Sequence, residues 1–136
     1  MRIEEKIAEV ERYLEELILI MPEDFRKYQG DLKSKAACER YFEKIMESAT
    51  DLAFLVIKDS LLRPPEDDKE AFQILAKEGI ISAGLSDRLK QAKGMRNILA
   101  HEYGKVDDEI VFCSITEEIE RDVREFIGCI RKTQCD

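Results

Sequence analysis

A chain of 136 residues with 44% hydrophobic and 38% charged residues has enough apolar material for one core and too much for a disordered protein. Only 3 prolines, 6 glycines and no tryptophan favour long helices over a many-stranded β fold. The net charge of −8 argues against DNA binding and general nucleic-acid binding, because phosphate contacts require lysine and arginine.

The first predicted element is a helix over residues 2–21, where apolar side chains recur at steps of three and four and so share one face. Pro22 is a stop signal for this helix, and residues 26–31 are expected to form a loop. The predicted apolar face consists of Ile3, Ile7, Val10, Leu14, Leu17 and Met21.

The longest predicted helix covers about residues 31–62 and ends before the proline pair at 64–65. Its apolar stripe is wider than one bundle is expected to bury, which points to a homodimer. The stripe comprises Cys38, Tyr41, Ile45, Ser48, Leu52, Leu55 and Asp59, widened by Phe42, Ala49 and Val56.

A short helix is predicted over about residues 66–78. Asp67 or Asp68 is expected to cap its first turn, and Gly79 is expected to end it. Its apolar face consists of Phe72, Leu75 and Ala76.

Two further helices complete the chain. One begins near Ser82 or Ser86 and runs to about His101, and the other covers about residues 107–131. Residues 112–115 also fit a short strand, although no partner strand is evident. The predicted buried faces are Leu85, Leu89, Ala92, Met95 and Leu99 in the first helix and Ile115, Ile119, Val123, Phe126 and Ile130 in the second.

These elements predict an all-α fold, an antiparallel up-and-down bundle of four long helices plus a short one. We expect a single helical domain over residues 1–132, followed by a C-terminal tail at 133–136. The four cysteines form no Cys-x-x-Cys pair, so no metal site is expected and the thiols are expected to be mostly buried. An amphipathic start and short apolar runs predict a cytoplasmic protein with no membrane partner.

Residues 94–104, with the sequence GMRNILAHEYG, contain the one histidine of the chain. Asn97 and His101 are four residues apart and share a helical face, so Asn97 is expected to orient the imidazole. Arg96 and Tyr103, seven apart, share another face. Arg96 and His101 are five apart, or about 140° around the axis. Either the helix ends between them, or a second copy completes the site across a dimer axis.

Residues 86–105 carry five basic and two acidic side chains, a surplus of three positive charges on an acidic chain. Such a patch can attract a phosphate, which makes Lys90, Lys93 and Lys105 candidate contacts to RNA phosphates. A helix surface that merely carries lysines is an equally good explanation of the pattern.

Arginine and histidine together can cleave a phosphodiester bond in RNA. Histidine can accept the proton of the 2′-hydroxyl or donate one to the leaving 5′ oxygen near neutral pH. Arginine can hold the phosphate and stabilise the charge that develops on its oxygens. Because the ribose supplies the nucleophile, the reaction needs no metal and no cofactor, and the substrate must be RNA. The structural alternative is a histidine that suits a helix C-terminus and an ordinary surface arginine.

The octapeptide RNILAHEY resembles the Arg-x4-His-x-Tyr motif of the HEPN superfamily, specifically its HepT-like toxins. The resemblance extends over about residues 1–132, through the segments at 39–57, 70–82 and 85–111.

The resemblance implies a dimerising all-α bundle that acts as a metal-independent endoribonuclease toxin, with Arg96 and His101 as the catalytic pair and Asn97 as site support. It also implies an antitoxin partner, a minimal nucleotidyltransferase of the MntA type, that neutralises the toxin by transferring AMP from ATP to Tyr103. AMP groups there would place negative charge and bulk at the mouth of the site.

Two other readings stay open. One is a non-catalytic HEPN module that binds a nucleotide or a nucleotidyltransferase. The other is a purely structural helical dimer in which Arg96 and His101 make interface hydrogen bonds.

Overall fold

The computed structural model describes residues 2–101 and 107–135, and no β-strand occurs among them. The predicted all-α bundle is confirmed. Its helices are α1 (Arg2–Ile20), α2 (Phe25–Gly30), α3 (Leu32–Asp59), α4 (Asp68–Lys77), α5 (Ala83–His101), α6 (Asp108–Cys113) and α7 (Ile119–Cys135), and a π-helical turn (Ser114–Glu118) joins α6 to α7.

Short polar side chains cap most of these helices at their first turns. Asp31 accepts hydrogen bonds from two backbone N–H groups of α3, and Asp67 accepts one from Glu70 at 2.8 Å in α4. Ser82 accepts from the Leu85 amide at 3.0 Å, so α5 begins at the first of its two predicted sites. Each cap contributes about 1 kcal/mol to the helix that it begins.

The faces of the long helices agree with the predicted pattern. All predicted core positions of the last helix are buried, as are those of the first helix except for the half-buried Met21. In α3, Asp59 is exposed and Tyr41 and Leu55 are half-buried, so the buried stripe excludes these three positions. On the predicted face of α5, Leu85 and Leu89 are buried and the other three residues are half-buried. Phe72 of α4 and Phe126 of α7 pack edge to face with ring centroids 5.8 Å apart, which joins both helices to one core.

The predicted loop at 26–31 is wrong, since residues 25–30 form α2. A helix of six residues is too short to show an apolar period. Tertiary contacts stabilise it: Tyr28 is fully buried and packs against Phe112 of α6 with ring centroids 5.1 Å apart. The strand considered for residues 112–115 is also wrong, because they lie in α6 and the π-helical turn.

Two helices are followed by a residue with a left-handed backbone conformation, that is, with positive φ. Gly79 follows α4 with φ of 77°, as predicted for the residue that ends this helix. Leu61 follows α3 with φ of 58°, although it is not a glycine, and the Leu62 amide closes the turn on the Ile57 carbonyl at 3.0 Å. This turn ends α3 at Asp59, three residues before the predicted end.

The predicted last helix over 107–131 is divided into α6, the π-helical turn and α7, and α7 ends later than predicted, at Cys135. The cysteines are free: Cys38 is buried, Cys113 and Cys129 are half-buried, and Cys135 is exposed. None of the helices described has the length and apolar character needed to cross a membrane.

Candidate active site

Arg96, Asn97 and His101 lie in the second half of α5, which is an uninterrupted α-helix over Ala83–His101. His101 is exposed. Because the helix does not end between Arg96 and His101, the five-residue step turns through about 140°. The two side chains therefore leave the helix in different directions. Tyr103 and Lys105 lie outside the described residues.

Arg96 is held by side chains on two sides, with 19% of its own side chain exposed. Its Nη2 donates to Oε1 of Glu47 on α3 in an ion pair, and its Nη1 donates to Oδ1 of Asn97 at 3.2 Å. Its Nε is shielded from solvent and has no hydrogen-bond partner among the described residues. Leaving such a buried donor unpaired costs about 1–3 kcal/mol.

Asn97 contacts the arginine of the motif. The sequence predicts that Asn97 supports the site by orienting His101, and in the structure its Oδ1 accepts the hydrogen bond from Arg96. The amide therefore restricts the guanidinium directly.

Glu47 is a site residue that the sequence did not reveal. It lies on α3 between the buried residues Met46 and Ser48, and 49 positions separate it from Arg96. A charged residue between buried neighbours is only a weak indication in the sequence that Glu47 belongs to the site. Periodicity identifies which face of a helix is buried, but it does not identify which residue of another helix lies opposite.

Two of the lysines proposed as RNA contacts have carboxylate partners. Lys93 is only 5% exposed, and its Nζ lies 2.9 Å from Oδ2 of Asp68 at the start of α4. Lys90 is half-buried, and its Nζ lies 3.4 Å from Oδ1 of Asp87. The ion pair of Lys93 joins α5 to α4.

The basic side chains of the predicted positive patch form ion pairs in the described part of residues 86–105. Arg88 pairs with Asp122 of α7 at 2.7 Å and with Glu125 at 3.3 Å. All four lysines and arginines between positions 86 and 101 therefore have a carboxylate partner. The sequence count missed this because most of these carboxylates come from α3, α4 and α7.

The segment that follows residues 102–106 is tied to α3. Asp108, the first residue of α6, accepts from Lys35 at 3.1 Å, and nearby the Tyr28 hydroxyl donates to Glu39 at 3.1 Å. Burial is the main cause that raises the pKa of Glu39, and burial also raises the pKa of Tyr28 above its ordinary value. These contacts hold the start of α6 and the helix α2 against α3.

A cavity of about 300 Å³ lies between α5 and the π-helical turn. Gln91, Ala92 and Met95 line one side of it, but none of Arg96, Asn97 and His101 lines it. The candidate site is therefore a surface feature separate from this cavity. Among residues 2–101 and 107–135, no group of three or more His, Cys, Asp or Glu side chains is arranged to hold a metal ion.

Comparison with known proteins gives consistent results over nearly the whole chain. The family model described as Ribonuclease HepT-like matches residues 3–130. A candidate RNase of Archaeoglobus fulgidus is 34% identical over 120 residues, which cover 86% of this chain and 89% of the relative. An mRNA nuclease HepT of Shewanella oneidensis is 26% identical over 126 residues, 93% of each chain.

Solved structures of similar proteins have the same fold as this chain. A tri-AMPylated HEPN toxin of Shewanella oneidensis, in complex with an MNT antitoxin, superposes with a TM-score of 0.88 at 26% identity over 96% of each chain. A toxin–antitoxin structure with AMP-PNP gives a TM-score of 0.87 at 25% identity, over 96% of this chain and 97% of the other.

Proposed function

The chain belongs to the HepT-like ribonuclease family, and from that premise we propose that it is an endoribonuclease toxin in which Arg96 and His101 form a metal-independent site at a dimer cleft. The observation that carries the proposal is the position of both residues on the last two turns of one uninterrupted helix, in a chain matched by this family over residues 3–130.

The proposed reaction uses the 2′-hydroxyl of the RNA as the nucleophile. Its oxygen bonds to the adjacent phosphorus while the bond to the 5′ oxygen breaks, which leaves a 2′,3′-cyclic phosphate and a 5′-hydroxyl. His101 accepts the proton of the 2′-hydroxyl or donates one to the leaving oxygen. Arg96 binds the non-bridging oxygens and stabilises the charge that they gain.

A second copy of the chain is proposed to complete the site. The angle of about 140° between Arg96 and His101 on one helix keeps them from converging on a single phosphate from one copy. If Arg96 of one copy works with His101 of its partner, Arg96→Ala and His101→Ala chains co-expressed in equal amounts recover about a quarter of the wild-type rate, because about half of the dimers are mixed and each mixed dimer has one intact site of two. Inactive mixtures would contradict a composite site.

We further propose that the partner is an MntA-type nucleotidyltransferase antitoxin that modifies Tyr103 with AMP. Support comes from the similar Shewanella oneidensis toxin, which is AMPylated and bound to an MNT antitoxin. Negative phosphates beside Arg96 would compete with the RNA for its guanidinium.

A second candidate function is a non-catalytic module that binds a nucleotide or the nucleotidyltransferase. One observation favours it: all four lysines and arginines between positions 86 and 101 already have a carboxylate partner, so little of their positive charge remains for RNA. Complex formation with the antitoxin without RNA cleavage, whether or not Tyr103 is modified, would favour this function.

The deciding experiment compares single-stranded RNA cleavage by the wild-type chain and two variants. His101→Ala is expected to lower the rate by about 10²–10⁴-fold, and Arg96→Ala by about 10²–10³-fold. Gln91→Ala, an exposed change on the same helix, is the control and keeps the wild-type rate. Equal rates for the wild type and His101→Ala would refute the proposed site.

A further inference from the structure

We propose that Glu47 is a positioning residue that holds the Arg96 guanidinium in the orientation in which it meets the RNA phosphate. This inference rests on the proposed function. Glu47 lies on α3 and joins the candidate site only through the fold, by its ion pair with Nη2 of Arg96.

The Glu47–Arg96 contact differs from the exposed ion pairs of this protein. Lys27 and Glu23 form such an exposed pair, with 59% and 84% of their side chains exposed. Arg96 and Glu47 are 19% and 40% exposed, and they come from two different helices. Met46 and Ser48 are buried on either side of Glu47, so the backbone that carries this carboxylate is fixed in the core.

The remaining donors of Arg96 allow it to hold Glu47 and a phosphate at the same time. A guanidinium has five N–H donors, and Glu47 and Asn97 each occupy one. One N–H group on each Nη atom therefore remains for an incoming anion while both contacts persist, and the buried, unpaired Nε is not required to bind it. Two fixed contacts at the outer nitrogens thus orient the arginine before the substrate arrives, which lowers the entropy lost on binding.

A positioning carboxylate has a kinetic signature that follows from its charge. Glu47 is negative and repels a phosphate, so its removal does not weaken RNA binding by loss of attraction. Its removal does release the guanidinium from its orientation, and this loss affects the rate of the chemical step. The expected result is therefore a lower kcat with an unchanged or lower KM.

The test measures kcat and KM for Glu47→Ala and Glu47→Gln beside the wild type. Glu47→Ala is expected to lower kcat by about 10- to 100-fold, and Glu47→Gln, which can still accept a hydrogen bond, to lose less. Asp51→Asn is the matched control, because Asp51 lies four residues further along α3 and is 66% exposed. This control removes a negative charge without a contact to Arg96 and is expected to keep the wild-type kcat.

A double-mutant comparison separates positioning from a general effect on folding. In the Arg96→Ala background, Glu47→Ala is expected to cause no further loss of kcat, because the group that it orients is gone. An unchanged or raised kcat for Glu47→Ala in the otherwise wild-type chain overturns the proposal. So does an equal loss of kcat in both backgrounds.

A readout independent of cleavage keeps this inference distinct from the proposed function. The ¹⁵N-detected Nε–Hε signal of Arg96, assigned from its disappearance in Arg96→Lys, is expected to exchange slowly with solvent in the wild type and at least 10-fold faster in Glu47→Ala. Unchanged exchange overturns the positioning role. If the wild-type chain does not cut RNA but the exchange responds as expected, the proposed function fails and the role of Glu47 in fixing Arg96 stands.

Discussion

The ion pair between Lys93 and Asp68 is expected to stabilise the fold without contributing to RNA binding. The lysine side chain is 6% exposed and the aspartate 47%, with 2.9 Å between Nζ and Oδ2. Removing one partner of a fully buried pair costs about 3–5 kcal/mol, whereas an exposed pair is worth about 0–1 kcal/mol. One partner here is nearly buried and the other half-exposed, so Asp68→Asn is expected to cost about 1–2 kcal/mol.

Replacement of the other partner, Lys93, is expected to lower the free energy of unfolding by less. Lys93→Met removes the buried charge and keeps most of the aliphatic chain, so no unpaired ammonium remains and we expect a loss below about 1 kcal/mol. Urea unfolding at one fixed protein concentration measures both changes. A larger loss for Lys93→Met than for Asp68→Asn would refute this reasoning. Weaker binding of Lys93→Met to a non-cleavable RNA would show that the lysine contacts a phosphate after all.

Three further predictions concern the helix ends, a buried carboxyl group and the modified residue. Gly79→Ala is expected to lower the free energy of unfolding in urea by about 1 kcal/mol, and Leu61→Gly to raise it by up to about 1 kcal/mol. Both positions have positive φ, and Leu61 is 92% exposed. Changes of the same sign in the two variants would contradict this prediction. Since the folded pKa of Glu39 is raised, its contribution to stability is present below the ordinary value and is lost as pH rises through the folded pKa. Glu39→Gln is therefore expected to be stabilising relative to wild type at pH 7 but not at pH 4, and unfolding curves that show no such pH dependence would contradict it. Mass spectrometry after co-expression with an MntA-type partner is expected to find added AMP on the wild-type chain and none on Tyr103→Phe; AMP on that variant would place the modification elsewhere.

Much of the fold could be predicted because its helices are long and amphipathic. The repeats in α1 and α7 identify the buried faces of these helices, and Ser82, Asp67 and Gly79 mark helix ends through local chemistry. The short helix α2 could not be predicted this way, since the burial of Tyr28 against another helix stabilises it.

The candidate site was predicted in part for a similar reason. Arg96, Asn97 and His101 are close in sequence, so helical geometry relates them without knowledge of the fold. The partners of Arg96 and Lys93, by contrast, are Glu47 and Asp68, which lie on other helices. Only the packing of α3 and α4 against α5 brings these carboxylates to the basic residues, and no local pattern encodes that packing.

Analysis of the cleaved RNA ends in EDTA tests the central claim most directly. The purified chain is incubated with a defined single-stranded RNA and with the same RNA carrying one 2′-deoxy nucleotide at the cut position. A site built on Arg96 and His101 predicts cleavage without metal, a 2′,3′-cyclic phosphate in the product mass, and no cut at the 2′-deoxy position. Cleavage that stops in EDTA, or that continues at the 2′-deoxy position, would contradict the account.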